Sequence, residues 1–381
     1  MESLRHFTLG ALLAAFCIVL CPSCGGDKND PTPVVTPEDK PDDKPGETPG
    51  DQPGDQPGDQ PGDQPGDQPG DQPGDQPGDQ PGDEPGDQPG DQPSEPDTKT
   101  IQLRFMSFNI LQSSGEDEGH TWSAFRQAPC MKMFQETDPD IFCLQECRRE
   151  QLTFLKTYFP QYTYFQYAKD GVKKVDKEEC NDDGIFKNSG QRNVIAIRTK
   201  RFERVDWGRF WYSDTPDVSS YAGPLFEDGG TPKLTLWLKV RDKETGFEFY
   251  VWTTHFFPRG DNGRKQCAIM SVERMKAQCE DSDVIFYCGD LNRSYEHADL
   301  LPLLQYMHYA RTAAPETDNS PTYTGFRTDA STWTLIDHIF YRNAKALRYK
   351  VVNTPIENGT SVVSDHFPIY TDFEITVPQS K

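Results

Sequence analysis

One long segment near the N-terminus lacks nearly everything from which a folded core is built. Residues 25–98 contain almost no apolar side chains, and residues 51–93 repeat a four-residue DQPG unit. Proline at every fourth position excludes helix and sheet, and the period is too short for a solenoid and differs from the collagen register. This composition predicts a solvated, disordered linker over residues 24–98, which acts as a spacer and has no specific binding role.

Long apolar runs are also scarce. The N-terminal run from Leu9 to Leu20 is too short for a membrane-spanning helix, but it suits the apolar region of a signal peptide. Arg5 precedes this run and Cys24 follows it, an arrangement that resembles a bacterial lipoprotein signal. We predict a signal peptide over residues 1–23 and lipidation of Cys24. The lipid would anchor the chain to the bacterial outer membrane, at the surface or on the periplasmic side. Plain secretion and a retained membrane anchor are the alternatives.

Basic residues are fewer than acidic residues, and this difference is distributed unevenly along the chain. The formal net charge is −22, of which residues 1–98 contribute −18 (4 Lys/Arg and 22 Asp/Glu), so only −4 remains for residues 99–381. The acidity therefore belongs to the linker. A domain near neutrality is not expected to offer a broad basic face to duplex DNA.

Motifs for a covalent nucleophile or a cysteine-based metal site are absent from the sequence. There is no GxSxG, and the glycines of GDNG and EDGG do not have the spacing of a phosphate loop. The Cys143–Cys147 spacing does not fit a CxxC pair, and these two cysteines and Cys288 stand in strand-like runs. We interpret all three as buried apolar residues.

The remaining 283 residues can bury one large core. Their apolar periodicity predicts two strand-rich halves, each with helices, and the predicted helices include 122–137, 150–159, 263–280 and 296–306. Two halves of this kind favour a sandwich of two sheets covered by helices.

Six short polar motifs each close an apolar run: FNIL, LQEC, TTHFFP, CGDLN, LIDHIF and SDHFP. They supply the side chains of Asn109, Glu146, His255, Asp290, Asn292, Asp337, Asp365 and His366. Four of them fall at strand ends, where α/β scaffolds bind ligands. A carboxylate such as Glu146 suits Mg²⁺ or Mn²⁺, and Asp290 can accept a proton from an attacking water. A nearby carboxylate such as Asp337 would raise the pKa of a histidine and favour the protonated imidazole.

Together these motifs resemble the endonuclease/exonuclease/phosphatase superfamily, over about residues 101–377. The resemblance implies a four-layer α/β sandwich, with two packed mixed β-sheets flanked by helices, and divalent-metal-dependent hydrolysis of phosphoesters without a covalent intermediate. It implies metal ligands at Asn109, Glu146 and Asp365. It also implies catalytic roles, which are carried by His255, Asp290, Asn292, Asp337 and His366. Leu111 stands where some members carry an acidic residue.

Substrate contacts are predicted at Arg148, Arg192 and Asn193, with Gln191 and Tyr323 as further candidates; ordinary packing is the alternative for each. The predicted substrate is a phosphoester. It is either nucleic acid, in which case this chain is an extracellular nuclease, or a small phosphorylated molecule. No obligate protein partner is evident from the sequence. The rival hypothesis is a non-catalytic surface lipoprotein of the same fold that binds glycans or phospho-glycans.

Overall fold

The computed structural model describes residues 99–113, 119–169, 190–218, 220–226, 232–353, 356–357 and 360–377. The predicted signal peptide, Cys24 and the DQPG linker lie outside these residues. In the described ranges, no helix is both long enough and apolar enough to cross a membrane.

The strands of the described residues are numbered in chain order. They are β1 (Lys99–Asn109), β2 (Ile141–Cys147), β3 (Tyr162–Ala168), β4 (Arg192–Arg198), β5 (Phe202–Trp211), β6 (Leu234–Asp242), β7 (Glu248–His255), β8 (Ile285–Asp290), β9 (His308–Tyr309), β10 (Glu316–Thr317), β11 (Asp337–Arg342), β12 (Lys345–Val351), β13 (Ile356–Glu357), β14 (Thr360–Ser361) and β15 (Ile369–Val377).

Two large sheets carry most of these strands. The first has the order β10-β12-β15-β1-β2-β4-β3 and the second the order β5-β6-β7-β8-β11-β9, while β13 and β14 form a separate pair. Both large sheets are mixed: β1 runs parallel to β2 and β7 parallel to β8, while β1–β15 and β8–β11 are antiparallel.

The helices are α1 (Gln127–Thr137), α2 (Arg149–Tyr158), α3 (Asp261–Gln278), α4 (Leu301–Tyr306) and α5 (Ala310–Ala313). The helix predicted over 122–137 begins as a π-helical turn, Trp122–Arg126, before α1. The helix predicted over 296–306 is instead a 3-10 turn, Ala298–Leu300, followed by α4. Pro302 explains this short start, because proline is tolerated only in the first turn of an α-helix.

Side-chain alternation along β1 shows how the layers form. Residues 101, 103 and 105 enter the core between the two sheets, whereas residues 106 and 108 join α1 and α2 in a second core. Between the sheets, the ring of Phe286 lies 5.4 Å from that of Phe105 and 4.7 Å from that of Phe373. A third core lies between the second sheet and α3 with α4. The layers are therefore helix, sheet, sheet and helix, which confirms the predicted sandwich.

Strand direction brings the site together. Asn109 ends β1 and pairs with Gln145 of the parallel strand β2, while His255 ends β7 and pairs with Asp290 at the end of β8. Asp337 begins the antiparallel strand β11 opposite Asp290. The carboxyl ends of two parallel strand pairs and the start of β11 thus deliver their polar side chains to one edge of the sandwich.

Candidate active site

Asp290 is the centre of the polar cluster at this edge. Its Oδ2 accepts a hydrogen bond from Asn109 Nδ2 at 2.9 Å and lies 3.4 Å from His255 Nε2 and 3.7 Å from His366 Nε2. Its Oδ1 accepts a hydrogen bond from the backbone N–H of Asn292 at 2.9 Å. Burial raises the pKa of the Asp290 carboxyl to about 7, although His366 opposes the increase.

His366 is held by Asp337. The Nδ1 of His366 lies 2.8 Å from Asp337 Oδ2, so this nitrogen donates to the carboxylate and Nε2 faces Asp290. Burial alone would lower the pKa of His366, but the carboxylates of Asp337, Asp365 and Asp290 outweigh it and raise the pKa to about 10. The imidazole is therefore protonated at neutral pH and can donate to negative charge on a substrate.

Buried hydroxyl and amide groups fix this pair. The hydroxyl of Thr322 accepts a hydrogen bond from the backbone N–H of Asp337 at 3.1 Å. Ser364 donates to the backbone carbonyl of Asn109 at 2.7 Å, and Tyr323, a predicted further candidate, packs its ring 4.8 Å from that of His366. These contacts leave the imidazole little freedom to rotate away from Asp290.

Glu146 owes its position to an irregular backbone. The pairing of β2 with β4 shifts register between Leu144 and Cys147, and Glu146 itself has a positive φ of 62°. A bulge of this kind redirects a side chain at the end of a strand. The Oε2 of Glu146 accepts a hydrogen bond from Gln191 Nε2 at 2.9 Å, and its side chain is 17% exposed.

Glu146 and Asp365, two of the predicted metal ligands, share a similar environment. Both side chains are partly exposed carboxylates, and the charge of Glu146 adds to burial in raising the pKa of Asp365. Two carboxylates that repel each other in this way form the hard oxygen set that Mg²⁺ or Mn²⁺ prefers. Asn109, the third predicted ligand, lies beside them, but its Oδ1 already accepts the N–H of Leu111 at 3.1 Å.

A second acidic group is less suited to a metal. Ligand atoms of Asp290, Asp337 and His366 lie within 4.8 Å of one another. However, His366 Nδ1 and Asp337 Oδ2 already contact each other at 2.8 Å, so these two side chains have fewer free atoms to offer a cation.

His255 differs from His366 in charge. It is 7% exposed, its Nδ1 lies 3.9 Å from Glu146 Oε1, and its Nε2 faces Asp290. Burial, together with the nearby charges of Lys233 and Lys169, lowers the pKa of His255 well below its usual range. This histidine is therefore neutral at pH 7.

Asn292 is joined to the site through its backbone. Its φ is 51°, a left-handed conformation that turns the chain so that its N–H meets Asp290. Its side-chain Nδ2 donates to the carbonyl of Phe256 at 3.1 Å. The side-chain amide of Asn292 lies next to the cluster, and one of its N–H groups is engaged in holding this turn.

The predicted substrate-contact residues have different surroundings. Arg148 is half-buried and its Nε donates to Gln112 Oε1 at 3.2 Å. Arg192 is only 1% exposed and donates to the carbonyl of Gly190 at 2.7 Å, which speaks against substrate contact. Asn193 donates to the carbonyl of Leu234 at 2.8 Å, between the two sheets, while its side chain also lines a recess beside Glu146.

That recess contains two lysines that the sequence analysis missed. It is lined by Glu146, Lys169, Gln191, Asn193, Lys233, Leu234 and His255, and we call it the basic recess. Lys169 donates to Gln191, and Lys233 is 5% exposed. Burial and the charge of Lys169 lower the pKa of Lys233 to about 8. Neither lysine belongs to a motif or an apolar period, so the sequence offered no signal for them.

Residues 106–366 match the sequence model of the Endonuclease/Exonuclease/phosphatase family. The chain belongs to this family. Members of the family are phosphoester hydrolases that typically use divalent metals, and the chain is accordingly a hydrolase acting on ester bonds. This confirms the family and the reaction class expected from the six motifs.

Solved structures agree in fold. An endonuclease/exonuclease/phosphatase family protein from Bacteroides thetaiotaomicron is 26% identical over 73% of this chain and 100% of its own, with a TM-score of 0.62. A mannosyl-6-phosphatase from the same organism is 26% identical over 71% of this chain and 99% of its own, with a TM-score of 0.61. TDP2 of D. rerio, solved with a single-strand DNA product, is 17% identical over 71% of this chain and 98% of its own, with a TM-score of 0.53. At this identity the likeness shows a shared fold only. No curated protein matches the chain.

Proposed function

We propose that this hydrolase cleaves phosphomonoesters or phosphodiesters with the help of Mg²⁺ or Mn²⁺. The observation that carries the proposal is the convergence on Asp290, whose Oδ2 lies within 3.7 Å of Asn109, His255 and His366. A base, a protonated donor and a neutral donor around one point are what in-line attack of water on a phosphoester requires.

Each residue then has a distinct task. Asp290 orients the attacking water and accepts its proton as the new P–O bond forms and the bond from phosphorus to the ester oxygen breaks. The leaving oxygen takes a proton from solvent, and Asn109 and Asn292 hold the carboxylate of Asp290 in place. Protonated His366 donates from Nε2 to a non-bridging phosphate oxygen, where negative charge accumulates. Asp337 keeps His366 charged and oriented. Neutral His255 contributes a hydrogen bond without adding charge.

The cation would be held by Glu146 and Asp365, with Asn109 beside them. When bound, it would neutralise phosphate oxygens and polarise the ester. Gln191 and the N–H of Gln112 both contact Glu146 Oε2, at 2.9 and 3.4 Å, and such contacts orient a ligand for its metal.

The location is proposed from the sequence. A lipidated Cys24 would anchor the chain to the outer membrane, and residues 24–98 would hold the catalytic domain, residues 99–381, away from the lipid surface. Mass spectrometry of the N-terminal peptide from the membrane fraction tests this. An acylated Cys24 supports the anchor, and a soluble chain that starts elsewhere overturns it.

The test of activity is hydrolysis of a substrate panel by the purified chain. The panel contains p-nitrophenyl phosphate, bis-p-nitrophenyl phosphate, single- and double-stranded DNA, and RNA, each with Mg²⁺, Mn²⁺ or EDTA. We expect turnover that EDTA abolishes and that His366→Ala loses, while His308→Ala, an exposed histidine, retains it. Glycan binding without any metal-dependent turnover would favour the non-catalytic alternative instead.

A further inference from the structure

A buried arginine holds the loop that follows β1. Arg126 ends the π-helical turn before α1 and is only 1% exposed. Its Nε donates to the backbone carbonyl of His120 at 2.8 Å. Its Nη1 donates to the carbonyls of Ile110 at 2.7 Å and Leu111 at 3.1 Å, and its Nη2 donates to the carbonyl of Gln112 at 3.1 Å. One guanidinium group thus binds the carbonyl oxygens of three consecutive residues.

The conformation of this loop depends on such support. Leu111 has a φ of 51°, a left-handed backbone that is sterically unfavourable for a residue with a side chain. Gln151 supports the loop from α2, where its Nε2 donates to the carbonyl of Leu111 at 2.8 Å. The larger share falls to Arg126, because a planar guanidinium offers donors on three nitrogens, whereas a lysine ammonium offers one.

The amides of the same loop hold two residues of the site. The N–H of Leu111 donates to Asn109 Oδ1 at 3.1 Å, which leaves Asn109 Nδ2 facing Asp290 Oδ2 at 2.9 Å. The N–H of Gln112 donates to Glu146 Oε2 at 3.4 Å. The carbonyl groups of the loop therefore bind Arg126, while its N–H groups bind Asn109 and Glu146.

We propose that Arg126 is a positioning residue that acts through the backbone of residues 110–112. It holds Glu146 ready for a divalent cation and keeps Asn109 in contact with Asp290. The inference rests on the proposed function for the role of Glu146 as a cation ligand. Residues that orient metal ligands commonly change metal affinity by roughly ten- to a hundredfold. Loss of Arg126 should therefore weaken cation binding, although Arg126 itself is no ligand.

A purely electrostatic role of Arg126 predicts the opposite result. Burial raises the pKa of Asp365, and the charge of Arg126 is among the effects that oppose the increase, so this charge reaches the carboxylates of the site. A positive charge nearby disfavours a bound cation. If charge alone mattered, removal of Arg126 would strengthen cation binding, and its replacement by lysine would change nothing. A positioning role predicts weaker binding in both cases.

The experiment is calorimetric titration of the full chain with Mn²⁺ in the absence of substrate. The variants are Arg126→Lys and Arg126→Ala. The matched control is Arg104→Lys, because Arg104 donates to the carbonyl of Thr137 and to Asp372, and lies roughly 17 Å along β1 from Asn109. We expect the dissociation constant for Mn²⁺ to rise roughly tenfold in both Arg126 variants and to stay unchanged in the control. Tighter binding in Arg126→Ala, or native affinity in Arg126→Lys, would overturn the proposal.

Added salts separate the shape of the guanidinium group from its charge. Guanidinium chloride, far below the concentrations that denature proteins, should restore part of the Mn²⁺ affinity of Arg126→Ala, because it can bind the same carbonyl groups. Methylammonium chloride has the same charge without the planar fork and should not restore it. Equal recovery with the two salts would show that charge is sufficient, and it would overturn the proposal.

Thermal unfolding distinguishes positioning from general stability. Arg126→Lys and Arg104→Lys each lose hydrogen bonds to a backbone carbonyl, so both should melt below the native chain. Only Arg126→Lys should also lose affinity for Mn²⁺. Loss of affinity in both variants would mean that reduced stability, rather than position, weakens the site. If Arg126→Ala fails to fold, Arg126→Lys still decides the question.

The titration needs no turnover, so it separates failure of this inference from failure of the proposed function. If the native chain hydrolyses no ester but binds Mn²⁺ in a manner that depends on Arg126, the proposed function fails and the positioning role stands. If the chain hydrolyses esters and its Mn²⁺ affinity does not depend on Arg126, the positioning role alone is overturned. A native chain that binds no Mn²⁺ would overturn both.

Discussion

Two histidines contact the same carboxylate oxygen of Asp290, yet one is positively charged and the other is neutral. His366 lies among Asp337, Asp365 and Asp290, which raise its pKa to about 10. His255 is just as deeply buried, but it faces Lys169 and Lys233, and its pKa falls well below the usual range. The acidic surroundings of His366 and the basic surroundings of His255 thus give one residue type two roles, a charged donor and a neutral one. Neighbouring charge, rather than the identity of the side chain, determines the protonation state and therefore the role of each histidine.

Removal of the shared carboxylate should have the largest effect. Asp290→Asn leaves both histidines without their common partner and the water without a base, so we expect kcat/KM to fall by roughly a thousandfold. Steady-state hydrolysis of p-nitrophenyl phosphate with Mn²⁺ measures this. Asp281→Asn, a fully exposed carboxylate, serves as the control. A loss smaller than tenfold would remove Asp290 from the centre of the mechanism.

A third histidine extends the comparison to stability. His338 is buried between the Tyr309 hydroxyl, 3.0 Å from Nδ1, and the Arg293 carbonyl, 2.7 Å from Nε2, and burial lowers its pKa to about 4. The folded state therefore holds it neutral, while the unfolded chain takes up a proton below pH about 6.5. The contribution of neutral His338 to the free energy of unfolding is complete above pH 6.5 and is lost as pH falls to about 4. This loss lowers the free energy of unfolding by about 3 kcal/mol.

The measurement is the free energy of unfolding in urea between pH 7 and pH 4, for the native chain and for His338→Gln. Glutamine can donate to the carbonyl and accept from the tyrosine, but it does not titrate. The difference between the two chains isolates His338 from the carboxylates that titrate in the same range. Parallel curves would show that this histidine does not contribute to acid sensitivity.

Asp337→Asn removes one of the carboxylates around His366 and leaves the surroundings of His255 unchanged. We expect kcat/KM to fall roughly a hundredfold, because His366 loses its orienting partner. The same carboxylate raises the pKa of His366, so its removal lowers that pKa and protonated His366 is lost at a lower pH. The alkaline limb of the pH–rate profile should therefore move to lower pH. A profile that falls in height but keeps its alkaline limb would show that His366 does not act as the charged donor.

His255→Gln alters the neutral donor and should have the smallest effect on activity. A neutral amide can replace a neutral imidazole as a hydrogen-bond donor, so we expect a loss of roughly tenfold. The alkaline limb should remain where it is in the native chain, since His255 is already neutral there. A hundredfold loss together with a shifted limb would mean that His255 carries a proton in the reaction.

Periodicity and motif order were sufficient to predict the sandwich and the convergence of most site residues. Asn109, His255 and Asp290 end parallel strands, and the carboxyl ends of such strands meet at one edge whatever the loops between them do. The motif around Asp337 and the Asp365–His366 dyad followed from the family resemblance.

The features that could not be predicted from the sequence depend on tertiary geometry. The bulge that aims Glu146 inserts a residue into an otherwise regular strand pair, and local sequence does not mark it. Lys233 comes just before β6 and reaches the recess only because β6 lies next to β7 in the second sheet. Arg192 was predicted to contact substrate, but it is 1% exposed and donates to the carbonyl of Gly190 inside the fold, a burial that is rare for arginine.

The left-handed backbone of Glu146 and Asn292 has a consequence for protein engineering. A side chain at positive φ costs about 1 kcal/mol relative to glycine, so glycine at either position would relieve strain in the fold. The same replacement would delete the Glu146 carboxylate, which we propose as a cation ligand, or the Asn292 side-chain amide that secures the Asp290 turn. Heat-tolerant variants of this chain that are selected without an activity assay should therefore be enriched in inactive enzymes.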